Sequence, residues 1–212
     1  MLHFHFDFLS PYAWLAWNRV HDLAARHGRG VEPVPTLLAA LLSRWGHKGP
    51  AEIPPKRAWV LRNTARLARR MGVPLVPPPA HPFNPLVALR VASLPGERRR
   101  EVIDALWRAT WAGGPGVGDA ETVARVLDDA GFDGRALVAA AGEPDAKERL
   151  RRQSDEALAA GVFGVPTIRV DGELFWGLDA FPDVEEHLEG REPVDPALIA
   201  RWRDLPAAAQ RK

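Results

Sequence analysis

The sequence contains no cysteine among its 212 residues. This absence excludes a disulfide framework, a cysteine nucleophile, a cysteine zinc site and any dithiol redox activity of the chain's own. An excess of one charge is also missing, because 28 Lys and Arg stand against 27 Asp and Glu, for a net charge of +1 at pH 7. Nothing in this balance favours nucleic acid as a partner.

Long apolar runs are absent as well. No stretch approaches the roughly 20 apolar residues that span a bilayer. The N-terminus has no basic segment followed by an apolar core, which a secretory signal requires. We therefore expect no membrane partner and a cytoplasmic location. A hydrophobic content of 46% and a charged content of 26% are typical of a globular protein.

The first stretch of the chain carries the clearest pattern. Apolar and polar residues alternate from residue 2 to residue 8, which predicts a strand. Ser10 and Pro11 then start a helical run that ends near His27, with Ser as a favoured N-cap and Pro at the first helical position. The free N–H groups at such a helix start favour an anion. The Ser10 hydroxyl can therefore cap the helix or donate to a bound anion.

The remaining chain divides into a helical block and a short β-rich block. Residues 31–36 predict a second strand, parallel to the first through a right-handed crossover. Residues 37–160 show no strand pattern and predict a series of helices, interrupted by a proline-rich extended stretch at residues 74–85. Asp171-Gly172 separates two β-rich runs and predicts a hairpin. This order predicts an α/β, thioredoxin-like fold formed by residues 1–36 and 161–212, with an all-helical domain inserted at residues 37–160.

Three motifs, in this order, resemble the 2-hydroxychromene-2-carboxylate isomerases, which group with kappa-class glutathione transferases and DsbA-like proteins. They are Phe6-Asp7-Phe8-Leu9-Ser10-Pro11-Tyr12, Gly161-Val162-Phe163-Gly164-Val165-Pro166-Thr167 and Phe175-Trp176-Gly177-Leu178-Asp179. The resemblance covers nearly the whole chain. It implies that glutathione is the cofactor and that Ser10 stabilises its thiolate. A hydroxyl donor and a helix start both favour ionised sulfur.

The resemblance also implies the rest of the cofactor site. Val165 and Pro166 match a cis-proline segment whose backbone pairs with glutathione. The segment that holds the γ-glutamyl end matches Trp176, Gly177, Leu178 and Asp179. Leu178 departs from the kappa enzymes, which have Ser there, while Asp179 retains a carboxylate suited to the α-ammonium group. Asp179 could instead only cap a helix from about residue 180 to residue 188.

The second-substrate residues implied by the resemblance come from the helical block. They are Lys56, Phe83 and Asn84. The implied substrate is an aromatic carboxylate, for which a cation and aromatic walls are suitable partners. The implied reaction is an isomerisation in which the glutathione thiolate adds, a bond rotates and elimination releases the trans product. A homodimer is implied in the same way.

Other interpretations remain open. The same scaffold could be a kappa-like glutathione transferase of broader substrate range, or a glutathione-binding module without turnover. Ser10 could be a helix cap alone. A different class of protein would follow if His3, His5 and Asp7, which share one strand face, bound a metal. No later cluster completes such a metal shell, so we expect no metal and instead expect hydrogen-bonded histidines.

Overall fold

The computed structural model describes residues 1–191 and 194–206. Its sheet has four strands in the order β2-β1-β3-β4. The strands are β1 (Leu2–Phe6), β2 (Val31–Pro35), β3 (Thr167–Val170) and β4 (Glu173–Trp176). β1 and β2 are parallel, whereas β3 is antiparallel to both β1 and β4. The predicted α/β, thioredoxin-like fold is confirmed.

Ten α-helices surround this sheet in the described part of the chain, and seven of them lie between β2 and β3. They are α1 (Pro11–Arg26), α2 (Leu38–Trp45), α3 (Pro54–Met71), α4 (Leu86–Ser93), α5 (Arg99–Trp111), α6 (Ala120–Asp129), α7 (Gly134–Gly142), α8 (Pro144–Ala159), α9 (Phe181–Leu188) and α10 (Pro196–Arg203). Asp119 and Asp133 cap the helices that follow them. Within the described residues no helix is both long and apolar enough to cross a membrane.

The β3–β4 hairpin forms where the sequence predicts it. Asp171 and Gly172 both have positive φ, at 50° and 96°, which is the backbone that a type I′ turn requires. The first strand is shorter than predicted and ends at Phe6 rather than residue 8. The reason is a local turn, because the Asp7 carboxylate accepts from the Leu9 N–H and the Asp7 carbonyl accepts from the Ser10 N–H.

One apolar core joins the sheet to the helical block. Phe4 and Phe6 of β1 and Phe8 just beyond it are fully buried, and the ring of Phe8 meets that of Trp107 from α5 at 4.7 Å. The division of the chain into two domains at residues 36 and 161 stays a prediction. Residues 192–193 and 207–212 of the second predicted segment lie outside the described residues.

Candidate active site

Three chain segments meet at one end of the sheet. β1 runs toward this end and leads into the loop before α1. β3 starts beside it, since His5 pairs with Thr167. β4 returns to the same end, since Thr167 pairs with Trp176. The strand directions therefore bring the first motif beside the other two, and Ser10 lies 155 positions before Val165 in the sequence.

The Ser10 hydroxyl caps α1 as an acceptor, which leaves its O–H group able to donate to a ligand. Its Oγ accepts from the Ala13 N–H at 3.2 Å, and its backbone is extended, as an N-cap requires. Among the described residues, the hydroxyl donates only to the Val165 carbonyl, at a long 3.5 Å. The helix therefore uses the acceptor side of the hydroxyl, while its O–H can turn to a ligand at little cost.

The Asp7 carboxylate holds the loop that leads to Ser10. Its carboxylate is fully buried and accepts from the N–H groups of Leu9, at 3.0 Å, and Leu38, at 2.9 Å. Burial raises the pKa of this carboxyl to about 6, and the two backbone hydrogen bonds only partly offset that rise. The loop before Ser10 is thus tied to the first residue of α2.

Two further side chains of the helical block hold the same loop. Trp111 Nε1 donates to the Phe8 carbonyl at 2.8 Å. His81 Nε2 lies 2.9 Å from the Leu9 carbonyl. The rings of His81 and Trp111 pack edge to face, with their centroids 5.6 Å apart. Sequence reasoning missed both residues. They lie 103 and 72 positions from their partners, and no spacing rule reaches so far.

The two segments matched to the cofactor site are bonded to each other. The Val165–Pro166 peptide bond is cis. The Gly177 N–H donates to the Pro166 carbonyl at 2.9 Å. Gly177 has a φ of +97°, a backbone conformation that L side chains rarely adopt, so this turn strongly favours glycine. Leu178 is only 7% exposed and its side chain packs in the core, which leaves its backbone alone for a ligand.

Asp179 presents an exposed carboxylate beside this turn. Nothing in residues 1–191 and 194–206 donates to that carboxylate or pairs with it. It does not cap α9 either, because the N-cap is Ala180 and has no side-chain bond. The capping alternative for Asp179 is therefore wrong. Trp176 next to it is 55% exposed, and its ring meets that of Phe163 at 5.2 Å.

One face of α3 lies beside the Ser10 loop. Asn63 Nδ2 donates to the Tyr12 hydroxyl at 2.9 Å. Burial, followed by the nearby Asp179 carboxylate, raises the pKa of Tyr12, although the Asn63 bond acts the other way. Lys56 and Trp59 precede Asn63 at helical spacing, so the three residues share this face. Trp59 is 57% exposed. Sequence reasoning did not identify Trp59. The helical spacing of three residues between Lys56 and Trp59 could have indicated that both lie on one face.

The other two residues assigned to the second substrate lie close to His81. The ring of Phe83 is 6.4 Å from that of His81 and packs partly against the core. Asn84 is exposed, and its Oδ1 accepts from the Leu86 N–H at 3.1 Å, at the start of α4. Lys56 is exposed and has no ion pair among the described residues.

The metal alternative finds no support in the geometry. His5 Nδ1 lies 3.3 Å from the Thr36 hydroxyl, and both Asp7 oxygens accept from backbone N–H groups. Burial lowers the pKa of His5 to about 4. Within the described residues, no group of three or more His, Asp or Glu side chains is arranged to hold a metal ion.

The donors and acceptors of this site suit a thiol tripeptide such as glutathione. Ser10 offers a hydroxyl donor at a helix start, where an ionised sulfur is favoured. The Val165 N–H has no acceptor in the part of the chain that the structure describes, so an extended peptide can pair there. The free Asp179 carboxylate suits an ammonium group.

Comparisons with known proteins agree with this architecture. A 2-hydroxychromene-2-carboxylate isomerase of Sphingobium xenophagum is 28% identical over 187 residues, 87% of this chain and 96% of that protein. Glutathione S-transferase kappa 1 of Rattus norvegicus is 25% identical over 220 residues, 95% of this chain and 97% of that protein. A solved structure of 2-hydroxychromene-2-carboxylate isomerase superposes with a TM-score of 0.79 at 25% identity, covering 97% of this chain and 99% of the other.

The family model of the DSBA-like thioredoxin domain matches residues 1–189. This range includes the loop that carries Ser10, the helical block and the two segments around Pro166 and Gly177. The chain belongs to the family of DSBA-like thioredoxin domains.

Proposed function

We propose that this protein is a glutathione-dependent isomerase that converts 2-hydroxychromene-2-carboxylate, or a similar aromatic carboxylate, to trans-o-hydroxybenzylidenepyruvate. The observation that carries the proposal is the Ser10 hydroxyl, which caps α1 as an acceptor and has only a 3.5 Å partner for its proton. The isomerase and kappa transferase names of the relatives support the reaction class and the cofactor.

Bound glutathione would supply a thiolate that adds to the substrate and leaves again after a bond has rotated. The chain itself would ionise and orient that sulfur. Ser10 would donate to it, and the free N–H groups at the start of α1 would add their partial positive charge. A thiol in this environment has a lowered pKa.

The remaining cofactor contacts would come from backbone groups and one carboxylate. The Val165 N–H would pair with the peptide backbone of glutathione, as an added strand does. Asp179 would bind the α-ammonium group, and the backbone of Trp176, Gly177 and Leu178 would line the same end. Pro166 would hold Gly177 in place through the bond its carbonyl accepts.

Recognition of the second substrate would come from the helical block. Lys56 would pair with the carboxylate of the substrate, and the exposed ring of Trp59, one turn along α3, would stack on its aromatic ring. Phe83 and Asn84 would complete the pocket on the side of His81. These side chains set the choice of substrate, whereas the cofactor is held mostly by backbone.

The test is a titration of the bound thiol. The ultraviolet absorbance of the thiolate is followed against pH for the wild type, Ser10→Ala and Asp119→Ala, which removes a cap from the distant helix α6. We expect the wild type and Asp119→Ala to lower the pKa of bound glutathione. Ser10→Ala should lose that shift and should lose about 100-fold or more in kcat, as when one oxyanion donor is removed. Equal thiol pKa values in the wild type and Ser10→Ala would refute the proposal.

The alternatives are separated by product analysis. A kappa-like transferase, favoured by the names of several relatives, would consume glutathione and release a conjugate. An isomerase returns the glutathione unchanged. A binding module would lower the thiol pKa yet turn over neither a conjugation substrate nor the hydroxychromene. The proposal also includes a cytoplasmic homodimer, which sedimentation at several protein concentrations and cell fractionation would test.

A further inference from the structure

The loop that presents Ser10 is held by three consecutive residues. Asp7 accepts from Leu38 through its carboxylate, and the carbonyls of Phe8 and Leu9 face Trp111 and His81. Each contact comes from the helical block. The His81 contact lies nearest to Ser10, because the carbonyl of Leu9 and the N–H of Ser10 belong to the same peptide unit.

The geometry fixes that peptide unit from both sides. A peptide bond is planar, so its carbonyl and its N–H point in opposite directions and turn together. The Ser10 N–H donates to the Asp7 carbonyl at 3.0 Å. The Leu9 carbonyl lies 2.9 Å from His81 Nε2. If either partner is lost, the plane can rotate, and the backbone from which the Ser10 side chain projects rotates with it.

The proton on His81 is assigned by its partner. A carbonyl oxygen only accepts, so Nε2 must carry a hydrogen and donate. In the neutral ring, Nδ1 then bears the lone pair. Within the described residues Nδ1 has no hydrogen-bond partner, and it is not among the fully buried polar atoms. The ring therefore contributes one directed bond to the loop.

His81 also connects the loop to the first turn of α3. Arg57 Nη2 donates to the His81 carbonyl at 3.0 Å. Arg57 follows Lys56, the residue assigned to the carboxylate of the second substrate. A continuous set of contacts thus runs from Arg57 on α3 through His81 to the peptide unit of Ser10.

We infer that His81 is a positioning residue for Ser10, holding the Leu9–Ser10 peptide unit so that the hydroxyl faces the cofactor sulfur. This inference rests on the proposed function for its effect on the sulfur, but the positioning itself is a property of the free protein. The hydrogen bond from His81 Nε2 to the Leu9 carbonyl positions the loop. Packing of the His81 ring is not sufficient to hold the loop without that bond.

Two variants separate the bond from the ring. His81→Phe keeps a flat ring against Trp111 and removes the donor, whereas His81→Gln can donate through its amide. The matched control is His27→Phe, the same exchange at the far end of α1, about 24 Å along a helix of 16 residues. Thermal unfolding and far-ultraviolet circular dichroism confirm that each variant is folded.

The first measurement is amide hydrogen exchange in the ligand-free protein. We expect the Ser10 and Ala13 amides to exchange about fivefold faster in His81→Phe, the change that follows from losing one hydrogen bond of about 1 kcal/mol. His81→Gln and His27→Phe should match the wild type at these amides. Unchanged exchange in His81→Phe, or an equal acceleration in both His81 variants, would overturn the inference.

The second measurement is the pKa of bound glutathione's thiol in the same proteins. His81→Phe should raise it and lower kcat while leaving the KM for glutathione unchanged, and His81→Gln should restore both values. If the wild type does not bind glutathione, the proposed function fails, and the exchange measurement still decides the role of His81. A rise in KM alone in His81→Phe would contradict positioning and indicate a direct binding role.

Discussion

The two walls of the candidate site are built from different kinds of groups. The wall formed by the sheet offers backbone N–H and carbonyl groups, the Ser10 hydroxyl and one free carboxylate. The wall formed by α3 and the segment before α4 offers exposed side chains, Lys56 and Trp59 among them. Backbone recognition depends on the path of the chain and tolerates many side-chain changes, whereas recognition by side chains changes with each substitution. We expect the cofactor to be the fixed partner and the substrate the variable one.

Gly177→Ala should break the backbone wall most severely. L side chains rarely adopt a φ of +97°, so the turn must shift, and the contact with Pro166 shifts with it. The new Cβ would also crowd Asp179 Oδ1, which would have to rotate away. Strain of about 1–3 kcal/mol corresponds to a loss of glutathione affinity of roughly 5- to 150-fold. Calorimetry measures this loss. Gly190→Ala, at a φ of +72° with nothing within 4 Å, is the control and should leave affinity unchanged.

Lys56→Met should affect only the other wall. Losing one charge-assisted hydrogen bond to a carboxylate costs about 2 kcal/mol, so the KM for the aromatic carboxylate should rise about 30-fold. The thiol pKa of bound glutathione should stay at its wild-type value. Arg70→Met, in the last turn of the same helix, serves as the control. A changed thiol pKa in Lys56→Met would show that the two walls are not separate.

Asp179→Asn tests the one side chain on the backbone wall that carries a free charge. The amide keeps the size of the carboxylate and removes its attraction for an ammonium group, so glutathione should bind about tenfold more weakly. The thiol pKa of the bound cofactor should not change, because Asp179 acts on the γ-glutamyl ammonium group and the thiol belongs to the neighbouring cysteine residue of glutathione. Glutathione lacking its α-amino group should bind the wild type and the variant equally. A wild-type preference of tenfold for that analogue would contradict the assignment.

Three titratable groups, those of Asp7, His5 and His21, predict that the free energy of unfolding depends on pH. Folding raises the pKa of Asp7 from 3.8 to about 6, so its contribution to stability falls as the pH rises from about 4 to 6. Folding lowers the pKa of His5 and of His21 from 6.5 to about 4, so their contributions rise over nearly the same interval. The opposite slopes partly cancel in the wild type.

Asp7→Asn removes the contribution that falls with pH. Between pH 4 and pH 6.5 the free energy of unfolding of this variant should therefore rise by about 2–3 kcal/mol more than that of the wild type. Urea unfolding at several pH values measures the slope. His5→Gln should flatten the same curve. A slope in Asp7→Asn equal to that of the wild type would mean that Asp7 does not titrate in this range.

The backbone wall could be predicted from sequence because local rules govern its parts. A Ser-Pro pair starts a helix and Asp171-Gly172 makes a hairpin turn. The order of the strands and helices followed from the sequence pattern, and the resemblance assigned the site residues. Contacts such as His81 with Leu9 join residues 72 positions apart. Their formation depends on how α3, α5 and the connecting segment pack, and neither periodicity nor capping determines that. For the same reason the sequence extended β1 too far, since the turn at Asp7 depends partly on Leu38.

Asp179 shows the limit of local rules in the other direction. An Asp followed by a helix is usually a cap, yet here the chain turns through Gly177 and the helix begins two residues beyond Asp179 without a side-chain cap. The carboxylate is left exposed and unpaired within the described residues. The failure of a common pattern is therefore itself a reason to look for a ligand.

Because the atom that caps α1 is the oxygen of Ser10 and not a sulfur, this position resists oxidation. A sulfur at this place could be oxidised, alkylated or cross-linked, and the helix would lose its cap each time. A serine oxygen is not oxidised in this way, so α1 keeps its cap through oxidative stress. If the reactive sulfur arrives with a diffusible ligand, as proposed, then damage to it is repaired by exchange with the pool, and the protein needs no repair enzyme of its own.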